Sequence, residues 1–533
     1  MKNKNLSRKT RDLNNHSLSK KFLFSLAAVS VLSTYANAQI SGAGCSGTCG
    51  TVSDTQTGKI TVSGTGNTSL TIESGGSVNV NNSEAINFNN DSSIQTFENK
   101  GTVVGGNNNG SIIIGNSNGN GATITTFENS GIIGNGSSKY GVVIWAKDDN
   151  TKSTITNFNN SGTISSNAGE SIFIKNTTID NFTNSGTISS TQGHGIQIGA
   201  CKGSTITTFT NSGTISSNNE TGLKINSSTI ENFNNSGTIK SDGINEPVDS
   251  LSGSTGIKIH SDYVKTFNNT GVIAGKVGIN IGASTIDNFT NTGTIESTSK
   301  HKYGAAISVS NLSGKATVIK NFTNSGTIKA DNASGILIEA GNTIENLTNS
   351  GTIEAGLYGI SFFTVDQSGK EINLGQINLE DGSVIKAGQD GIHIDGSDRG
   401  IKAKGIDVKS GALLQGARAG IFIGGGKQLD TLIKISGEVK GGVAGIINEG
   451  VIGSSSDGQE SGIKVEGGGS IASANGGSGI VNQGNGSIQG DIVVSGGGAI
   501  EGGITNTGKG EISGSITVDK DSKLDSIVNT STS

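Results

Sequence analysis

The sequence predicts an all-β chain, a right-handed parallel β-helix of three-strand coils, each about 22 to 34 residues long, and three observations carry that prediction. A ten-residue phrase, roughly Ile-x-x-Phe-x-Asn-x-Gly-x-Ile, recurs ten times between Ile94 and Ile353, centred on residues such as Phe97, Phe127, Phe267, Phe289 and Phe322, with leucine substituted at Leu347. Each interval holds a second short strand opened by glycine, as in Gly195-Ile-Gln-Ile and Gly256-Ile-Lys-Ile. No helix-forming run separates the strands, and 85 glycines, one proline and 31% hydrophobic residues suit thin coils with a narrow core. A coil of this kind cannot bury its apolar face until a neighbour covers it.

Within one copy, Phe158, Asn160, Gly162 and Ile164 fall at a spacing of two, which predicts that they share one side of an extended strand. The three-residue step from Ile155 to Phe158 predicts a bend or bulge where the chain turns a corner. In the glycine-opened strand Ile196 and Ile198 should point inward, while Gln197 and its counterpart Lys224 point out.

The repeated amide at Asn160, Asn184, Asn211 and Asn235 invites a glycan-binding reading, since a column of amides could face a sugar. A structural reading outweighs it. Stacked coils set identical side chains about 4.8 Å apart, where amides bond up and down the column as a ladder. The same register stacks Phe158, Phe182, Phe209 and Phe233.

After Ile353 the phenylalanine and asparagine are expected to disappear while a glycine-x-aliphatic corner continues through Gly382-Ser-Val, Gly411-Ala-Leu, Gly437-Glu-Val and Gly498-Ala-Ile. The resulting plan is a signal peptide over 1–38, a capping segment and first coils over 39–93, the Phe/Asn coils over 94–353, and a glycine-rich continuation over 354–533 that stops mid-repeat.

Lys2, Lys4, Arg8, Lys9, Arg11, Lys20 and Lys21 precede an apolar run over 22–32, and Ala36-Asn37-Ala38 follows. This is the pattern of an extended secretory signal cleaved between Ala38 and Gln39, with an apolar run too short to span a membrane. Cleavage removes seven Lys or Arg and one Asp, so the net charge of −5 becomes −11, which argues against nucleic acid as a partner. In an oxidising compartment Cys45 and Cys49 could close a small disulfide loop, leaving Cys201 over; metal binding by a lone Cys-x3-Cys is the weaker alternative.

Catalytic chemistry and cofactor motifs are not visible. His194, His260, His301 and His393 are scattered among coils, and the most site-like group is Asp390, His393 and Asp395. His393 falls on the outward phase between Ile392 and Ile394, so a solvated surface histidine is expected. Two long connections, 240–255 with Pro247 and 297–317 with His301 and Tyr303, should project from the coils, and projecting loops are where solenoids carry recognition. Tyr140, Tyr303 and Tyr358 each precede a glycine, and Trp145 should point outward.

The extended signal, the Phe-Thr-Asn-Ser-Gly-Thr-Ile coils and the run from Gly496 through Ala499-Ile-Glu-Gly-Gly-Ile-Thr-Asn-Thr-Gly resemble the passenger of a type V autotransporter of the adhesin and vacuolating-cytotoxin-like groups. The resemblance implies export through the inner membrane, passage through an outer-membrane barrel, and display for adhesion, self-association or toxin action against a host-cell or matrix receptor or glycan. No catalytic residue of the family's protease members can be matched. A vacuolating or pore-forming passenger is the alternative, and a β-helical polysaccharide-degrading enzyme a further one, which would need clustered acids with Arg or Lys on one face. The family's barrel would need alternating strands with aromatic girdles, yet the last phenylalanine is Phe422 and the last tyrosine Tyr358. A fragment or truncated product is therefore expected, periplasmic if the chain truly ends at Ser533.

Overall fold

The computed structural model describes residues 39–532 apart from 42–48, 107–109, 136–137, 201–202, 244–253, 300–303, 312–313, 364–371, 396–400, 430 and 455–460. The signal segment with Ala38, the Cys45 half of the expected disulfide, Cys201, His301, Tyr303 and most of the first long loop lie outside the described residues. The chain divides into two units, Met1–Ala36 and Asn37–Ser533.

The second unit is a parallel β-helix of three sheets. One coil shows the plan: Ser153–Asn160 in a phenylalanine sheet, Thr163–Ser166 in a threonine sheet, and Ile172–Lys175 in a glycine-opened sheet, before Thr177–Asn184 begins the next coil. Each strand pairs in parallel with its counterpart one coil away, residue for residue, so that Phe158 faces Phe182, Asn160 faces Asn184, Ile164 faces Ile188 and Ile174 faces Ile198. Ile, Thr, Val and Phe dominate these strands because branched and aromatic side chains fit a half-buried pleated surface. Among the described residues the glycine-opened sheet has 19 strands. Its first, Gln39–Ser41, runs antiparallel to Ile60–Ser63, so the N-terminal end of the stack is paired by a reversed strand.

The core is one continuous column of apolar side chains from Val52 to Ile504. Ile155, Phe158, Ile164, Ile172 and Ile174 have no exposed surface, so all three sheets of a coil contribute. Fully burying each such side chain stabilises by about 1.5–3 kcal/mol.

Two expected corners move. Asn160 ends its strand, Ser161 and Gly162 form the corner, and Ile164 belongs to the next sheet, so the single strand expected from Phe158 to Ile164 is two. Gly162 does not point into a core; it lies against the preceding coil, where an added Cβ would sit 2.1 Å from the Gly131 carbonyl oxygen. The same approach recurs at Gly213, 2.0 Å from the Gly186 oxygen, and this explains why the corner admits only glycine. Between Ile155 and Phe158, by contrast, the chain does not turn. Thr156 and Asn157 both stay out of the core, which shifts the inward phase within one unbroken strand.

In the C-terminal part a fourth short sheet is inserted, of Gln428–Leu429, Val451–Ile452, Ser487–Ile488 and Glu511–Ile512. Leu429, Ile452 and Ile488 supply its buried side chains, while Ile377, Ile406 and Ile433 continue the phenylalanine register in the phenylalanine sheet.

Candidate functional site

The two predicted columns are present and are structural. From Phe127 to Phe322 successive rings stack at centroid distances of 4.4–5.1 Å and within 11° of parallel. Beside them Asn160 Nδ2 donates to Asn184 Oδ1, Asn184 to Asn211 and Asn211 to Asn235, at 2.7–2.8 Å. Each amide donates a second bond to the carbonyl of its own corner glycine, as Asn184 does to Gly186 at 3.3 Å. The amide hydrogens are thereby consumed, and none of these four side chains is more than 1% exposed, which removes them as a glycan surface.

The ladder continues to Asn349, whose amide donates to the Ser383 hydroxyl at 2.6 Å. The expectation that asparagine disappears beyond that point is wrong. A second ladder runs from Asn448 through Asn482 and Asn506 to Asn529, at 2.7–3.0 Å, on a different corner, where the glycine-opened sheet meets the inserted sheet. Its signal was in the sequence as Asn448-Glu-Gly, Asn482 with Gly486 and Asn506 with Gly510. The changed spacing between amide and glycine hid it. A further asparagine column is exposed on the outer face of the phenylalanine sheet, where Asn181 donates to Asn157, Asn321 to Asn288 and Asn346 to Asn321, at 3.0–3.1 Å.

A third ladder had no sequence reading at all. At the corner leading into the phenylalanine sheet, a backbone N–H of one coil donates to a side-chain oxygen of the next: Ser204 to Ser228, Ser228 to Asp262, Asp262 to Ser284, and Thr317 to Asn342. The preceding residue often turns left-handed, with φ of 55° at Ser227 and 62° at Ser261, which aims these groups along the stack. Ser, Thr, Asp and Asn alternate in the column because each supplies the one acceptor it requires, so no residue type repeats to reveal it. Asp262 is the ionisable member. Burial pushes its carboxyl up to about 8, against the N–H groups of Ser228 and His260, which favour the charged form.

The group Asp390, His393 and Asp395 is brought together, but His393 is not solvated. Its phase is outward as expected; its flanks are closed by Tyr358, stacked at 3.8 Å, and Phe422, stacked at 5.1 Å, one coil to either side. The side chain is 7% exposed. Its Nδ1 lies 2.8 Å from Asp390 Oδ2, and Nε2 lies 4.0 Å from Asp395. Asp390 is fully buried and accepts Arg418 through both nitrogens of a fork, Nε at 2.9 Å and Nη2 at 2.5 Å, while the guanidinium covers the Phe422 ring at 3.9 Å. Burial by itself would raise the Asp390 carboxyl; the hydrogen bonds of Arg418 and His393 outweigh it and hold the group below the usual carboxylate range. Both Asp390 oxygens are thus occupied, and the cluster clamps three coils through aromatic, cationic and anionic groups that satisfy one another. Arg418 and Phe422 carried no sequence signal, because only the coil register brings them beside His393.

Trp145 is partly exposed on the outward side, as expected, with its indole N–H donating to the Gly115 carbonyl. Cys49 opens a strand, but its pairing with Cys45 falls outside the described residues. Among the described residues no three His, Cys, Asp or Glu side chains are grouped to hold a metal ion, and no helix is long and apolar enough to cross a membrane. No family model matches the chain, and no curated protein and no solved structure matches it.

Proposed function

We propose that this chain is an exported passenger of the autotransporter type that acts as a non-catalytic, adhesin-type binding scaffold. The observation that carries the reading is the division of labour across the coil. Inward columns are consumed by packing and by amide bonding, while outward columns present hydroxyls, amides and charges at the spacing of the coils. The basic, apolar and small-residue segment over 1–38 supports export. In this reading the partner is a host-cell or matrix receptor or glycan, or another copy of the chain, and an outer-membrane barrel delivers the scaffold to the cell surface. Recognition is assigned to the long connections at 240–255 and 297–305; the second does not run on to 317 as expected, because Ala305–Ser310 is a buried strand of the glycine-opened sheet.

The test is attachment of the purified exported chain to host cells and matrix-coated surfaces. Shortening both connections to the length of their neighbours should leave the circular dichroism unchanged and reduce attachment. Absence of attachment to cells, matrix and glycans would overturn the binding role, and undiminished attachment after both deletions would remove the loops from it.

A further inference from the structure

In two places this acidic chain sets lysines directly opposite one another on neighbouring coils. Like charges so placed destabilise a sheet unless something compensates them. Lys434 and Lys464 are one such pair, and Glu466 reaches both, at 2.9 and 3.0 Å. Lys224 and Lys258 are the other pair, on the outer face of the glycine-opened sheet. Among the described residues no carboxylate lies within 4.0 Å of either of these ammonium groups. They stand instead at one end of a hollow of about 340 Å³, whose remaining wall includes Glu170, Gln192, His194 and Glu220. His194 is nearly buried between coils, accepting the Thr221 N–H at Nδ1 and meeting Lys224 Nζ at Nε2, both at 3.2 Å.

We propose that this hollow binds a carboxylate-bearing sugar, whose carboxylate bridges Lys224 and Lys258 as Glu466 bridges Lys434 and Lys464. The size falls at the lower end of the range of small-molecule sites, which suits one sugar ring. The lining is polar, so a ligand carrying several hydroxyls is matched where an apolar one is not. Glu170 and Glu220 on the wall disfavour a densely charged chain and favour a single charge at the lysine end. Burial, then the two lysines, lower the His194 pKa to about 3, so the imidazole stays neutral beside the lysines at neutral pH. Burial and then the neighbouring Lys224 also lower Lys258, Glu220 offsets part of this from a distance, and a bridging anion relieves the remainder.

The site deepens the reading of the solenoid as a binding scaffold and rests on it, yet fails separately: a chain that attaches to cells without binding an acidic sugar keeps that reading and loses this one. The experiment is calorimetric titration of the full exported chain with glucuronate, glucose and sulfate. Glucuronate should bind and glucose should not. Lys258→Gln and Lys224→Gln should each weaken glucuronate by about tenfold or more, while Lys434→Gln should leave it unchanged. Lys224→Glu creates an internal partner for Lys258, so it should abolish binding with thermal unfolding at or above that of the parent. No glucuronate binding, glucose binding as well as glucuronate, sulfate competing as strongly as glucuronate, or indifference to both lysine substitutions would each overturn the proposal.

Discussion

The coils over 94–353 and the later ones solve one packing problem with different parts. In the first stretch a phenylalanine fills each coil and an asparagine seals the corner between the phenylalanine and threonine sheets. In the second, isoleucine replaces the ring, and from Gln428 onward a fourth short strand is added and the asparagine reappears at another corner. Between them, where Leu347 ends the inner stack, the outer cluster of Tyr358, His393, Phe422 and Arg418 begins. The difference teaches that the amide ladder is tied to a tight corner and a glycine, not to the aromatic beside it, and that a register can be held from either side of a sheet.

The comparison breaks most visibly at the aromatic. Phe209→Ala removes a ring stacked on both faces and should destabilise its neighbourhood by about 3–5 kcal/mol, whereas Ile433→Val in the later coils should cost only about 0.5–1.5 kcal/mol. Native-state hydrogen exchange across the affected coils measures both, since a solenoid unfolds locally. Equal costs would mean that the phenylalanine column carries no special share of the first stretch.

Arg418→Ala tests the clamp at the junction. It leaves the buried Asp390 with His393 alone, and a loss of about 2–3 kcal/mol at neutral pH is expected, moderated because Arg418 is 40% exposed. The lowered Asp390 carboxyl fixes the sign. Its stabilisation is present above the ordinary carboxylate pKa and disappears as pH falls through the lower, folded-state value. The variant and its parent should therefore converge in acid, as followed by far-ultraviolet circular dichroism melts. A gap that persists there would assign Arg418 a packing role only.

The portability of the ladder is sharpened by a matched pair. Asn211→Leu and Asn482→Leu each interrupt a run of bonded amides, and each should cost about 1–3 kcal/mol. A much smaller effect at Asn482 would show that the second ladder is incidental to the fourth sheet.

The hydroxyl corner gives an effect that depends on pH and is smallest in acid. Asp262 sits where its neighbours are Ser228 and Ser284, and its raised carboxyl means that the folded chain holds a proton the unfolded chain has released. That contribution is complete below the unfolded pKa near 3.8 and is lost as pH rises toward about 8. Asp262→Ser keeps an acceptor for the Ser228 N–H and removes the charge, so its melting temperature should be closest to the parent's below about pH 4 and gain on it steadily as pH rises toward 8. The same pH dependence in both proteins would place the titration elsewhere.

Legibility followed repetition. Phe158 and Asn160 were readable because the same types recur at one place in every coil, and stacking was the physical reason to expect it. The corner at Gly162 was misplaced because a spacing of two is shared by a strand and by a tight turn between strands; only the close approach to Gly131 distinguishes them. The Asp262 corner and the Arg418 clamp were not readable, since their partners lie 22 to 34 residues away in coils of variable length and change type from coil to coil. The sequence pattern thus identifies what every coil shares, and the structure is needed wherever one coil departs from its neighbours.

The asparagine column has a direction. From Asn99 to Asn349 every amide donates toward the C-terminal coil, and the first acceptor, Asn99 Oδ1, is buried with no donor among the described residues. Head-to-tail amides polarise one another, so the column is a small macrodipole with its negative end at Asn99. Turning any single amide over would set oxygen against oxygen on one side and NH2 against NH2 on the other. All the rotamers in the column are therefore locked into one sense, and reversing them is an all-or-none event rather than ten independent ones.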